Sequence, residues 1–196
     1  MFHTIPKPIL DRMAYLEAID ARGRQDGASK EQRLRQIPPE TGRFLATLAA
    51  SAPPGAVVEI GTSGGYSSLW LILACMQRHD RLTTFEMAAD KVLLAQQTFT
   101  EAGVDAHVQL VHADALLQLL GLERIAFCFL DAEKDSYLQC YQLVVPRLLP
   151  GGFLVADNLI SHQAELVDFV DHVMADERID ALVVPVGKGL LMCRRP

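Results

Sequence analysis

The sequence predicts an α/β fold: a doubly wound, mostly parallel sheet that ends in a C-terminal antiparallel hairpin and is preceded by N-terminal helices. Three observations lead there. Five short apolar runs alternate with stretches at helical spacing, which is the pattern of βαβ units. The first of these runs enters a glycine-rich turn that opens a helix. The last two apolar runs flank Gly187-Lys188-Gly189, a turn suited to a hairpin. With 196 residues, half of them hydrophobic, the chain has material for a sizeable core and is expected to form one domain. Residues 1–50 read as a helical extension and 51–196 as the core.

Along the chain, Ile9, Leu10, Met13, Leu16 and Ile19 recur at helical spacing, so 8–20 is expected to be an amphipathic helix ending near Arg22-Gly23. Residues 21–35 are polar, with Arg22, Arg24, Lys30, Arg33 and Arg35 against Asp26 and Glu31, and read as a solvated loop or an exposed helix. Pro38 and Pro39 open a second helix, because proline is tolerated in the first turn. Phe44, Leu45 and Leu48 supply its buried stripe, and Pro53-Pro54-Gly55 stop it. Strands are expected at 56–60, 82–86, 107–111, 125–130 and 153–156. The helices between and after them are 65–77, 88–102 (closed by Gly103), 115–120, 134–148 (closed by Pro150-Gly151-Gly152) and 163–175. Runs at 181–186 and 190–193 make the hairpin. Trp70 and the phenylalanines at apolar spacing belong to the core; His112, His162 and His172 could each approach the site, although a lone histidine is more often a surface or packed residue.

Composition excludes several classes. The longest apolar run, 69–76, is far short of the roughly 20 residues that span a bilayer. Residues 1–10 lack the basic start, apolar centre and small-residue cleavage site of an export signal, so a cytoplasmic protein is expected. The four cysteines, Cys75, Cys128, Cys140 and Cys193, have no C-x-x-C spacing and read as buried thiols. A net charge of −6 disfavours sequence-independent attraction to nucleic acid.

In doubly wound sheets ligands bind beyond the carboxyl ends of the strands, so the chemistry is sought there. The first strand runs into Glu59-Ile-Gly61-Thr-Ser63-Gly-Gly65-Tyr-Ser67, where glycines allow close backbone approach and a helix start offers free N–H groups. The loop lacks G-x-G-x-x-G, which disfavours a dinucleotide. Glu86, followed by Met87, ends the second strand 25 residues after Gly61; an acid at that place suits the two hydroxyls of a ribose. Asp114, before Ala115, is both a helix N-cap and a plausible acceptor for an adenine amino group. Asp131 ends the fourth strand and Asp157-Asn158 the fifth. If these strands are neighbours, three oxygen ligands converge, the set that Mg²⁺ and similar hard cations take. Lys134, three residues after Asp131, would share a face with it and act as a base beside a cation. Alternatively the acids cap helices and Lys134 is a surface charge.

Together these residues resemble the class I S-adenosylmethionine-dependent methyltransferases, with their Rossmann-like sheet. More narrowly they resemble the cation-dependent O-methyltransferases that include catechol and caffeoyl-CoA O-methyltransferases. The glycine loop, Phe85-Glu86-Met87, Asp131-x-x-Lys134-Asp-x-Tyr137 and Ala156-Asp157-Asn158 match that family's motifs in its order, over roughly 37 to the C-terminus. The resemblance implies an enzyme that moves a methyl group to a hydroxyl of a small catechol-like aromatic. Glu59, Gly61, Ser63, Gly65 and Ser67 would line the methionine part of the cofactor, Glu86 and Met87 the ribose and adenine, and Asp114 and Ala115 the adenine edge. Asp131 would face the cofactor and also bind the metal with Asp157 and Asn158, and Lys134 would be the general base. Relatives pair as homodimers, which implies the same here.

Two departures blur the acceptor. The stretch between Asn158 and Ala181 is short, and Gly187-Lys188-Gly189 stands where the family often carries an acid. Some bacterial relatives methylate a hydroxylated uridine in tRNA, and Arg22, Arg24, Lys30, Arg33, Arg35 and Arg43 offer cations for a phosphate backbone. A protein that binds the cofactor without turnover is a third reading.

Overall fold

The computed structural model describes residues 2–27, 29 and 33–196. Lys30, one of the basic residues noted above, lies outside the described residues. Among these residues seven strands form one sheet: β1 (Ala56–Ile60), β2 (Leu82–Glu86), β3 (Val108–His112), β4 (Ile125–Leu130), β5 (Leu148–Ala156), β6 (Asp180–Val184) and β7 (Leu190–Arg194). Their order is β3-β2-β1-β4-β5-β7-β6. The first five are parallel, and β7 runs antiparallel to both β5 and β6. The order reverses between β1 and β4, so their carboxyl ends open a crevice there.

Among the described residues seven α-helices accompany the sheet: α1 (Lys7–Gln25), α2 (Pro39–Ser51), α3 (Tyr66–Arg78), α4 (Ala89–Ala102), α5 (Ala115–Gln118), α6 (Tyr137–Val144) and α7 (Gln163–Met174). Side chains alternate across a strand, and the core divides accordingly. Val57, Phe127, Phe129 and Val155 pack with α1 to α4. Val58, Cys128, Leu130, Leu154 and Ala156 pack with α5, α6 and α7. Both faces of the central strands are therefore covered, which is why they read as unbroken apolar runs rather than alternating ones. Trp70 belongs to the first cluster, and all four cysteines are buried and free.

The structure departs from the sequence expectations in a few places. Helix α1 passes through Gly23 to Gln25; one glycine inside a helix costs only about 1 kcal/mol. Strand β3 begins at Val108, with His107 in a preceding 3-10 turn. The helix expected at 134–148 is a 3-10 turn (Lys134–Ser136), α6 and a second 3-10 turn (Val145–Arg147). Pro146 removes a backbone donor, which stops a regular helix. Pro150-Gly151-Gly152 does not close that helix but lies inside β5. There the pairing with β4 skips from Ile125↔Leu148 to Phe127↔Phe153, a bulge that absorbs the extra residues. No helix among the described residues is long and apolar enough to cross a membrane.

Candidate active site

A cavity of about 980 Å³ opens at the carboxyl ends of the strands. Its construction starts at Gly61, whose φ of +100° is left-handed and whose missing Cβ would stand 2.2 Å from the carbonyl oxygen of Asp131. Only glycine fits, and its absence of side chain lets the ends of β1 and β4 close together. The loop then crosses to β2: the N–H groups of Gly61 and Thr62 donate to the Phe85 carbonyl at 3.0 and 3.2 Å. Ser63 N donates to Glu86 Oε2 at 2.7 Å, while Met87 N and Ala88 N donate to Glu86 Oε1 at 3.0 and 2.9 Å. Three backbone donors thus fix the Glu86 carboxylate at the cavity edge, with lone pairs left for a ligand.

Gly61, Ser63, Ser67, Glu86, Met87, Asp114, Ala115, Asp131, Lys134 and Asn158 all line the cavity. Asp114 also caps α5, accepting from Leu116 N at 2.9 Å. Gly65 is set back from the cavity: it precedes α3 in a left-handed conformation, where a Cβ would meet Phe99 and Thr98.

Glu59 is likewise set back beneath the loop. Its side chain is fully buried, and Oε2 accepts from Ser68 Oγ and, at 2.6 Å, from Thr84 Oγ1. The Thr84 and Thr62 hydroxyls are 2.6 Å apart, whereas Glu59 Oε1 has no partner among the described residues. Burial pushes the Glu59 carboxyl up to about 7, against the hydrogen bonds from Ser67, Ser68 and Thr84 that favour its ionised form. Residues Ser68, Thr84 and Thr62 were not singled out from the sequence. Thr84 is Glu59's direct partner across β1 and β2, and only that register reveals it.

At the other end of the cavity β4 and β5 are neighbours, and Asp131, Asp157 and Asn158 come together as their positions suggested. Asn158 Nδ2 donates to Asp131 Oδ1 at 2.8 Å, and Asn158 itself holds a left-handed φ of +71°, a local strain of the kind that gathers at functional sites. Asp157 is fully buried and neither carboxylate oxygen has a partner among the described residues. Its pKa is raised, first by burial and then by the charge of Asp131. A carboxylate stripped of water and left without a donor costs several kcal/mol, so the arrangement fits a bound cation. The set comprises two carboxylates and an amide; among the described residues no three of His, Cys, Asp and Glu converge.

Lys134 Nζ lies 3.5 Å from Asp131 Oδ1 and donates to Tyr137 Oη at 2.6 Å and to the Ala132 carbonyl at 3.1 Å. Burial lowers its pKa, opposed by the charges of Asp131 and Asp157. Tyr137, given no role from the sequence, is fully buried and donates to the Asp157 carbonyl at 3.2 Å. It ties Lys134 to the tip of β5.

Of the polar stretch expected to be a solvated loop or an exposed helix, residues 21–25 are the largely exposed end of α1, whereas its last residues border the site. Leu34 is buried, its carbonyl accepts from Ser63 Oγ at 3.0 Å, and Arg33, Arg35 and Gln36 line the cavity. The other basic side chains are engaged: Arg24 with Asp20, Arg35 with Glu133, Arg22 with the Ala18 carbonyl, and Arg43 at 5.9 Å from the Phe2 ring centre. Of the histidines, His162 lines the cavity, His112 contacts the Met87 carbonyl at 3.1 Å, and His172 packs edge-on against Tyr141.

A doubly wound sheet with a nucleoside-sized crevice at its switch point, a fixed strand-tip acid and an acid–lysine cluster defines a class of α/β enzymes rather than one chemistry. The family is settled by comparison: the family model described as O-methyltransferase matches residues 12–196, and the chain belongs to that family. A protein of Arabidopsis thaliana provisionally named a caffeoyl-CoA O-methyltransferase is 25% identical over 181 residues, covering 82% of this chain and 78% of its own. A catechol O-methyltransferase of Niastella koreensis is 33% identical over 129 residues, covering 63% of this chain and 58% of its own. Among solved structures, the methyltransferase PaMTH1 of Podospora anserina, bound to S-adenosylhomocysteine, superposes with a TM-score of 0.82 at 21% identity, covering 98% of this chain and 89% of its own.

Proposed function

We propose that this O-methyltransferase moves the methyl group of S-adenosylmethionine to a hydroxyl of a small catechol-like aromatic, assisted by a divalent cation, Mg²⁺ by preference. One observation carries the reading: a buried, partnerless carboxylate, Asp157, adjoins Asp131, Asn158 and a lysine whose proton is loosened by burial.

The sulfonium of S-adenosylmethionine, when bound, supplies a methyl group that is already activated. The chain's task is to hold it and to present an oxygen in line with it. Gly61, Ser63 and Ser67 would lie along the methionine part, with Glu59 supporting the loop from below. Glu86 would accept from the ribose hydroxyls, and Met87, Asp114 and Ala115 would border the adenine. A solved neighbour bound to S-adenosylhomocysteine supports the choice of cofactor, and catechol in the name of a relative supports the class of acceptor.

A neutral phenol is a poor nucleophile. With a pKa near 10 it needs a shift of about three units to ionise at neutral pH, or about 4 kcal/mol. A divalent cation held by Asp131, Asp157 and Asn158 would supply charge stabilisation of that order, and two adjacent hydroxyls would present the better chelate. Lys134 Nζ receives the hydroxyl proton; Tyr137 and the Ala132 carbonyl keep it aimed, and burial favours its uncharged form. A tRNA acceptor has less in its favour, because Arg24 and Arg35 are spent in ion pairs with Asp20 and Glu133.

The test is uptake of labelled methyl by a panel of catechols and a hydroxylated uridine, with and without EDTA. Uptake by catechols that stops with chelator and returns with Mg²⁺ is expected. Undiminished uptake in EDTA would overturn the cation assignment, and uptake by the nucleoside alone would overturn the acceptor class. S-adenosylmethionine binding with no uptake by any acceptor would leave a binding protein instead.

A further inference from the structure

The wall near Asp131 and Asn158 carries four cationic side chains, Arg33, Arg35, Lys134 and Lys188. Two face carboxylates: Lys134 at 3.5 Å from Asp131 Oδ1, and Arg35 at 2.5 Å from Glu133 Oε1. Lys188 and Arg33 make no ion pair among the described residues, although the Lys188 charge acts on the buried Asp157 carboxyl and lowers its pKa against the effect of burial. Lys188 Nζ donates to the main-chain carbonyls of Arg35 at 3.2 Å and Gln36 at 3.4 Å. Carbonyl oxygens occupy two of its three donors and leave one N–H free, its charge answered among the described residues only by Asp157, beyond ion-pair distance. Arg33, which also lines the cavity, has a buried Nε without a partner among the described residues.

Lys188 is also held in place. A Cβ on Gly187 would fall 2.2 Å from Thr41 Oγ1, and one on Gly189 2.4 Å from Ile160 Cγ1; both glycines have left-handed φ, +59° and +87°. The Lys188 carbonyl accepts from Ile160 N and Ser161 N at 3.0 and 3.2 Å. The turn's main chain is thus locked onto the loop that follows Asp157 and Asn158, and the two carbonyl contacts hold the ammonium against the Arg35–Gln36 segment. A pre-placed cation with one free donor recognises an anion without ordering a flexible side chain first.

We infer that Lys188 selects acceptors bearing a carboxylate on the hydroxylated ring, with Arg33 reinforcing the positive wall. This rests on the proposed O-methyl transfer to a catechol and narrows its substrate class.

The experiment compares kcat/KM of the full chain for 3,4-dihydroxybenzoate and for catechol, in the wild type, Lys188→Gln and Lys188→Arg. The wild type is expected to favour the acid, and Lys188→Gln to lower the acid-to-neutral ratio about tenfold, the loss of one charge-assisted hydrogen bond. Lys188→Arg keeps the charge and should keep most of the ratio. A wild type that favours catechol, or a ratio unmoved in Lys188→Gln while both rates fall together, would overturn the inference and leave Lys188 as a tether for Arg35 and Gln36. Methyl uptake by neither compound, with S-adenosylhomocysteine still bound, would overturn the catechol reading itself and the selectivity with it.

Discussion

Replacing Glu59 by Gln removes a buried ionisable group whose folded-state pKa, about 7, lies above its ordinary 4.5. Between those values the native chain holds a proton that the unfolded chain has released, so stability falls as pH rises through that window. Below about pH 4.5 both states are protonated and the cost is absent; above about pH 7 both are ionised and the cost is complete. The separation of about 2.5 units corresponds to about 3 kcal/mol at full strength. Gln keeps an oxygen that accepts from Ser68 and Thr84 and cannot ionise. The assay is thermal unfolding of cofactor-free wild type and Glu59→Gln at about pH 5 and about pH 8; their difference should move in favour of the variant by about 2–3 kcal/mol. For a chain of this length that is roughly 5–10 °C in Tm. Other titrating groups cancel in the double difference. A gap that stays constant between the two pH values would refute a carboxylate strained by burial at this position.

Gly61→Ala places a methyl group 2.2 Å from the Asp131 carbonyl at a left-handed φ; a loss of at least about 2 kcal/mol in urea unfolding is expected, and an unchanged midpoint would contradict the tight closure of β1 on β4. Glu86→Ala should weaken S-adenosylhomocysteine binding by about tenfold or more in a calorimetric titration, and an unaltered Kd would remove Glu86 from the ribose site. Lys134→Gln should lower kcat by about 10²-fold or more while leaving cofactor affinity nearly intact; a full-speed variant would show that another group takes the proton. For Asp157→Ala, the rise in Tm produced by Mg²⁺ should disappear, whereas the rise produced by S-adenosylhomocysteine should persist. Retention of the Mg²⁺ effect would place the cation elsewhere.

Much of the architecture was legible because it rests on local physics. The apolar runs of β1, β2 and β4 and the glycines at 61 and 103 mark their own elements, and the strand-tip acids fall at strand ends wherever those strands go. The errors came from residues whose meaning is not local. Pro150-Gly151-Gly152 looks like a stop, yet the bulge against β4 keeps it within β5. The polar stretch at 21–35 reads as a solvated loop or an exposed helix, which holds for 21–27, yet at its end Leu34 is buried and Arg33 and Arg35 wall the cavity. Tyr137 belongs to a motif legible in the sequence, but its role shows only once its hydroxyl is seen against Lys134 and the Asp157 carbonyl.

Sequence alone determined the alternation of strands and helices, the glycine turn after β1 and the chemical types at each strand end, since these depend on side-chain periodicity and on backbone conformations open to few residues. The tertiary structure decided which of those groups meet. Strand order set Asp131 beside Asn158; register set Thr84 against Glu59. Packing across 153 residues of chain brought Lys188 to the carbonyl of Arg35. Such long-range contacts depend on the summed burial of both core layers, which no single stretch of sequence contains.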